Sequence, residues 1–261
     1  MNNLLEKQEY LDDKLKFLYV DLNRKLKNAQ VYTDDSTYAV VQGTPEVPVW
    51  VWTLDGLSKD KLLEVKDALT KLLVSDKLEV TSRESVYNYL VENNYEYLDR
   101  DSYFELGFLD CNEVVKPREC DGYLDRVKEN ELELLAELVY LEKKELPLDS
   151  LTREESYEKA KEFLVDDTFY VWRNKEGKVV AFLNYRVYDD VAKLGNVYTA
   201  CEERRKGYCS NLVYEVTKKL LDKGLKVMLY TDYRYPNSNG AYKKVGFVDK
   251  GYLVNYTLRR K

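Results

Sequence analysis

The residues with the clearest capacity for chemistry are Arg204, Arg205, Lys206 and Gly207, set between a β-branched and aromatic run, Asn196-Val197-Tyr198-Thr199, and an apolar-periodic segment. A strand entering a helix through a glycine-containing turn leaves the first backbone N–H groups of the helix unpaired, at the positive end of its dipole. Such a start binds phosphate. The three cations add charge at that point, and Gly207 permits close approach of a ligand to the backbone. The same stretch also reads as an ordinary strand-turn-helix unit with a solvated basic turn. Neither G-x-G-x-x-G nor G-x-x-x-x-G-K-[ST] occurs.

Composition narrows the chemistry. The 261 residues contain no histidine, so Ser-His-Asp and Cys-His catalysis are excluded, and proton transfer falls to Tyr, carboxylate, Lys, Cys or water. Cys111, Cys120, Cys201 and Cys209 show no C-x-x-C spacing and have no histidine to join them, so no metal site is expected and the thiols read as free. A net charge of -6 argues against nucleic acid as a partner and favours a cationic one, such as an amine. No long apolar run suggests a membrane span. The start, Met1-Asn2-Asn3-Leu4-Leu5, lacks a basic leader or an apolar signal core, which leads us to expect a cytoplasmic protein. Most of the 24 tyrosines read as strand and interface surface.

Arg204-Arg205-Lys206-Gly207-Tyr208-Cys209, preceded by Val197-Tyr198-Thr199, resembles the acyl-CoA signature R/Q-x-x-G-x-G/A of the GNAT superfamily of N-acyltransferases. Cys209 departs from it, standing where the family prefers Gly or Ala. Tyr230-Thr231-Asp232, Asn237-Ser238-Asn239 and Tyr242-Lys243-Lys244-Val245-Gly246-Phe247 are similar to the family's later strand, Asn-containing helix start and Tyr-x-x-x-Gly-Phe ending. The resemblance covers about residues 120 to 261 and is to bacterial members.

The resemblance implies acetyl-CoA as acyl donor. Its pyrophosphate would lie on the amides from Arg205 to Ser210, among Arg204, Arg205, Lys206, Gly207, Tyr208 and Cys209. The main chains of Val197, Tyr198 and Thr199 would meet the pantetheine and the acyl carbonyl, and Asn237 and Asn239 would face CoA. Tyr242 matches the general acid that protonates the departing thiolate. The acceptor would be a primary amine, of a small molecule or a protein. Its base is not identified; Glu202 and Asp232 are the nearest carboxylates to the two strands, and each also reads as a surface acid. A covalent acyl-cysteine is disfavoured, because no histidine could activate Cys201 or Cys209. A non-catalytic acyl-CoA-binding or sensing module, or a scaffold that has lost CoA, are the rival readings. Oligomeric state is open.

The elements that would position these residues follow from pattern. Leu4, Leu11, Leu15, Leu18, Leu22 and Leu26 predict one long amphipathic helix over 4 to 26. Strands are expected at 38 to 42, 49 to 54, 78 to 81 and 102 to 109, and helices at 58 to 74, capped by Ser58, and 82 to 93. Around 112 to 121 the pattern lapses into a linker. Beyond it come a strand at 123 to 127, a helix at 131 to 142, and a capping box at Thr152 opening a helix through Leu164. A hairpin follows around Asn174-Lys175-Glu176-Gly177, then the central strand and helix, a strand at 226 to 230, a short helix near 239 to 244 and a closing strand at 252 to 258. The expectation is an α/β chain of two domains. Residues 1–115 would form an α/β half without a CoA motif, either a degenerate copy of the same fold or an unrelated cap. Residues 120–261 would form a GNAT-type mixed central sheet flanked by helices.

Overall fold

A computed structural model describes residues 1–145 and 150–260, apart from the side chains of residues 236 to 238. Two compact units emerge. The first comprises Met1–Phe108, Asp232–Arg234 and Lys250–Lys261, and the second Leu109–Thr231 and Tyr235–Asp249.

The first unit begins with three short helices, α1 (Asn2–Leu5), α2 (Gln8–Asp13) and α3 (Leu18–Asn23), where one long helix was expected. The leucine stripe mispredicts the packing: Leu11 and Leu26 are exposed, whereas Leu4, Tyr10, Phe17 and Val20 are buried. An extended Lys7 and a non-helical Phe17 break the run, letting each large side chain turn inward. Tyr10 thereby meets the edge of Trp52 at 5.4 Å, and Asp13 accepts from the Trp52 indole at 2.9 Å.

Strands β1 (Gln30–Thr33), β2 (Tyr38–Gln42) and β3 (Val49–Thr53) form an antiparallel meander, of which β1 had no sequence signal. Helix α4 (Lys59–Leu72) starts at Ser58, whose hydroxyl accepts from the Lys61 amide at 3.4 Å, and leads to β4 (Lys77–Ser82), parallel to β3. Helix α5 (Glu84–Glu92) and β5 (Leu98–Cys111) follow.

The second unit contains β6 (Tyr123–Asp125), α6 (Leu132–Lys144), α7 (Arg153–Leu164), β7 (Phe169–Arg173), β8 (Val179–Tyr188), β9 (Val191–Thr199), α8 (Tyr208–Leu221), β10 (Lys226–Asp232) and α9 (Pro236–Val245). Thr152 makes the expected capping box with Glu155. Strands β6 to β9 pair antiparallel in succession, and β10 runs parallel to β9, giving the order β10-β9-β8-β7-β6. Leu212, Val213, Val216 and Leu220 of α8 pack on Leu183, Ala192 and Leu194, while Leu135, Val139 and Phe163 of α6 and α7 form a second cluster with Phe169, Phe182 and Tyr198.

The last strand is β11 (Val248–Arg259), whose partner the sequence did not indicate. It pairs antiparallel with β4, from Val254 opposite Ser82 to Arg259 opposite Lys77, so the first unit reads β1-β2-β3-β4-β11-β5. Alternation identifies a strand but not its neighbour. The first unit thus ends its main run at Phe108 and takes in Lys250–Lys261, and the second begins at Leu109. The irregular stretch 112 to 121 is tied to the second unit. The Val115 amide donates to Val245 O at 2.8 Å, Asn211 Nδ2 to Arg118 O at 3.0 Å, and the Trp172 indole to Asp121 O at 3.0 Å.

Arg173 fixes β6 and the start of α6 to β7. Only 1% exposed, it contacts Asp125 at 2.6 Å and Glu131 at 2.6 and 2.7 Å, and donates to the carbonyls of Gly177 and Arg126. These bonds hold the Glu131 carboxyl below its ordinary range, and for Asp125 they outweigh the opposing effect of burial. Arg173→Met should lower the unfolding free energy in urea by about 3 kcal/mol, since it strands two carboxylates. Both folded-state pKa values are depressed, so their stabilisation is present above the unfolded value of about 4 and is lost as pH falls through the folded value. The acid slope of wild-type stability should flatten in the variant.

Candidate acyl-donor site

The site begins with a mismatch between two strands. Phe182 of β8 faces Tyr198 of β9, and Asn184 faces Gly195, so two steps along β8 match three along β9. The extra residue is a β-bulge at Asn196 and Val197. Asn196 takes φ 46°, a left-handed conformation that Asn tolerates, and its side-chain amide donates to Asn184 Oδ1 at 3.0 Å. A Gly-Asn pair inside a strand pattern is the sequence signal for such a bulge.

The bulge coincides with the end of the β9–β10 ladder. Paired residues run from Lys226 opposite Val191 to Leu229 opposite Leu194, yet β9 continues to Thr199 and β10 to Asp232. Val197, Tyr198 and Thr199 lie on this unladdered length. Over this length β9 stays paired with β8 but has no partner in β10. Tyr198 is buried against Phe182, and the carbonyl of Thr199 accepts from Arg204 Nε at 3.0 Å.

Gly207 is the N-cap of α8 at φ 95°, preceded by Arg205 at φ 64°, and no side chain caps the helix. A Cβ on Gly207 would approach the Cβ of Cys120 to 3.3 Å. The leading amides of Tyr208, Cys209 and Ser210 thus lack the side-chain acceptor that Ser58 gives α4. The three cations differ in their engagement. Arg204 forms a bidentate pair with Glu145 at 2.7 Å and reaches over the Tyr198 ring; Lys206 pairs with Glu203 at 2.7 Å; exposed Arg205 makes no ion pair among the described residues. Glu145, at the end of α6, had no sequence signal. It gathers Arg204, the Cys201 thiol at 3.1 Å and, through its carbonyl, the Tyr235 hydroxyl at 3.1 Å.

Tyr208 is buried and its hydroxyl bonds Asp121, which with burial raises its pKa. Burial pushes the Cys209 thiol up to about 11, so it is protonated at neutral pH; its small side chain faces Thr199. Helix α9 packs on α8 and carries Tyr242, buried beside Phe247. Burial first, then the nearby Cys209 and Glu142, raise the Tyr242 hydroxyl well above its ordinary value. Buried Asn239 Oδ1 has no hydrogen-bond partner among the described residues, an acceptor left open for a ligand donor; the side chain of Asn237 lies outside them.

The two carboxylates singled out from sequence are each held in an ion pair. Glu202 is exposed and pairs with Lys178 at 3.6 Å. Asp232 groups with the first unit and is occupied by Arg234 at 2.6 Å. A cavity of about 700 Å³ between α6 and α7, lined by Glu133, Glu137, Tyr140, Arg153 and Tyr157, contains none of the motif residues. Among the described residues no metal-binding cluster occurs, and no helix is long and apolar enough to cross a membrane.

Comparison with known proteins agrees with this geometry. Residues 135–247 match the model of the acetyltransferase (GNAT) family. No curated protein matches the sequence. An acetyltransferase of the GNAT family from Colwellia psychrerythraea superposes with a TM-score of 0.58 at 12% identity, over 97% of this chain and 98% of its own. A GCN5-related N-acetyltransferase from Sphaerobacter thermophilus gives 0.61 at 12% identity, over 92% and 84%. A GCN5-related N-acetyltransferase-like protein from Streptococcus suis gives 0.53 at 16% identity, over 100% of both chains. At these identities the likeness establishes the fold. Residues 135–247, which include the bulged β9 and the uncapped α8, thus match a GNAT acetyltransferase domain.

Proposed function

We propose that the protein is an N-acetyltransferase that moves an acetyl group from acetyl-CoA to a primary amine by direct attack in a ternary complex. The observation carrying this reading is the parting of β9 from β10 beside a helix start that no side chain caps. Acetyl-CoA supplies the activated acyl group as a thioester. The amides from Arg205 to Ser210 hold its pyrophosphate, with Arg205 as the cation that carries no carboxylate partner among the described residues. Main-chain groups of Val197 and Thr199 hold the pantetheine and the acyl carbonyl. An amide aimed at that carbonyl stabilises the developing oxyanion by about 3 kcal/mol. Asn239 Oδ1, buried and open, fits a pantetheine amide donor.

Tyr242 serves as the general acid for the leaving thiolate. Glu202 and Asp232 enter as candidate bases, and the cationic partners of both favour proton loss from the amine to water before attack. The protonated, half-buried Cys209 supports direct transfer over an acyl-cysteine.

The first unit fits a degenerate copy of the same fold. Its succession of antiparallel meander, helix, parallel strand, helix and strand, β1-β2-β3-α4-β4-α5-β5, parallels β7-β8-β9-α8-β10-α9-β11. At the helix corresponding to α8, however, Ser58 caps the amides and Asp60 puts negative charge in the first turn. Both features oppose phosphate.

Thiol release from acetyl-CoA across a panel of amines tests the activity; no amine-stimulated release with any member would overturn it. Tyr242→Phe should lower kcat by about 100-fold with the dissociation constant for acetyl-CoA unchanged. Because the folded-state pKa of Tyr242 is raised, its proton is retained through neutral pH and beyond the ordinary tyrosine value of about 10. The rate should therefore show no alkaline loss from this group below that pH. Gly207→Glu should weaken acetyl-CoA binding in calorimetry by at least ~100-fold, about 2.7 kcal/mol. Retained affinity would overturn the phosphate site.

A further inference from the structure

Lys193 lies on β9 just ahead of the bulge, opposite Arg186 of β8 and level with Met228 of β10. It is half-buried, and its amine folds along the strand. A Cβ placed on Gly195 would stand 3.9 Å from Lys193 Nζ and 3.4 Å from Asn184 Oδ1. The amine therefore occupies space above the one residue of β9 that has no side chain, beside Leu194, where the ladder to β10 ends.

Direction along the strand gives this position its meaning. In the reading above, on which this inference rests, the pyrophosphate sits at Gly207, and the pantetheine runs back along Thr199 and Val197. The thioester then arrives at the bulge, next to Gly195. On that reading the Lys193 amine lies at the acyl end of the donor. The positive charge of Arg186 disfavours the charged form of the amine. Arg186 faces it across the β8 pairing, with Asp166 and Thr168 bound to Arg186 at 2.6 and 2.9 Å, and the neighbouring amides of Asn184 and Asn196 are neutral. Burial, with a smaller contribution from Arg186, lowers the Lys193 pKa and enlarges the neutral fraction.

We propose that Lys193 is the chain's own acetyl acceptor when no amine substrate is bound. The neutral ε-nitrogen attacks the thioester carbonyl and a C–N bond forms. Collapse of the tetrahedral intermediate breaks the C–S bond, and the proton released by the nitrogen leaves with the sulfur as free CoA thiol. The products are acetyl-Lys193 and CoA, with no change of oxidation state. The acetylated side chain lies over Gly195, at the acyl end of the cleft, and obstructs an incoming amine.

The test incubates the full-length chain with acetyl-CoA and no acceptor, then maps acetylated peptides by mass spectrometry. Lys193 should be acetylated at least ~10-fold faster than any other lysine, a modest advantage for a group held at the reacting centre. Its rate should saturate with acetyl-CoA, and the modified chain should have lost amine-stimulated thiol release. Lys193→Arg should abolish this fast modification, and Gly207→Glu should slow it by impairing donor binding. Acetylation spread over the lysines without preference, or a Lys193 preference that persists at full rate in Gly207→Glu, would overturn the proposal. Calorimetry separates the two levels: acetyl-CoA binding with Lys193 unmodified defeats self-acetylation and leaves the transferase reading standing, whereas absence of binding defeats both.

Discussion

The second unit depends on a single unmatched residue in β9. A regular β9 would keep its ladder to both neighbours, and every main-chain amide along it would be committed. The added residue at Asn196 and Val197 lets β9 remain paired with β8 on one side, while its pairing with β10 stops at Leu194 and Leu229. The cost is a non-glycine residue in the left-handed region, offset by the Asn196 to Asn184 hydrogen bond at 3.0 Å. The gain is a length of strand, Val197 to Thr199, whose backbone can recognise a ligand by its amides. A small local distortion in a sheet otherwise covered by α6, α7 and α8 thus coincides with the end of the β9–β10 pairing.

The helix that follows completes the arrangement, and comparison with α4 separates its structural and functional parts. Both α4 and α8 bridge a pair of parallel strands, and both bury an apolar face. They differ at the first turn. Ser58 closes α4 with its hydroxyl, whereas left-handed Gly207 leaves α8 without a side-chain cap and close to the backbone of Arg118 and the side chain of Cys120. The basic turn is divided in labour as well. Arg204 is a structural cation, joining the end of β9 to α6 through Glu145, while Arg205 remains outside such pairs among the described residues.

Much of this was legible in the sequence, for physical reasons that also explain the rest. Local signals held: the Thr152 capping box, the Asn174 to Gly177 turn, the apolar stripe of α8 and the glycine before it are set by residues a few positions apart. Non-local choices did not announce themselves. Nothing in the alternation of Tyr252, Val254, Tyr256 and Leu258 says that β11 lies against β4, and leucine spacing over 4 to 26 concealed that Tyr10 and Phe17 would be buried instead. The site divides along the same line. The turn and helix start at Gly207 were readable, whereas Glu145, which comes from a distant helix, and the Asn184 to Asn196 contact across β8 and β9 required the structure.

The central claim is that the unladdered end of β9 and the uncapped start of α8 together hold the acyl donor. Hydrogen exchange of the full-length chain, with and without saturating acetyl-CoA, tests it at the groups concerned. The account predicts slowed exchange confined chiefly to the amides of Val197 and Thr199 and to those from Arg205 to Ser210. Protection centred on the α6 and α7 groove, or on the Ser58 turn with the β9 and α8 amides unchanged, would contradict it.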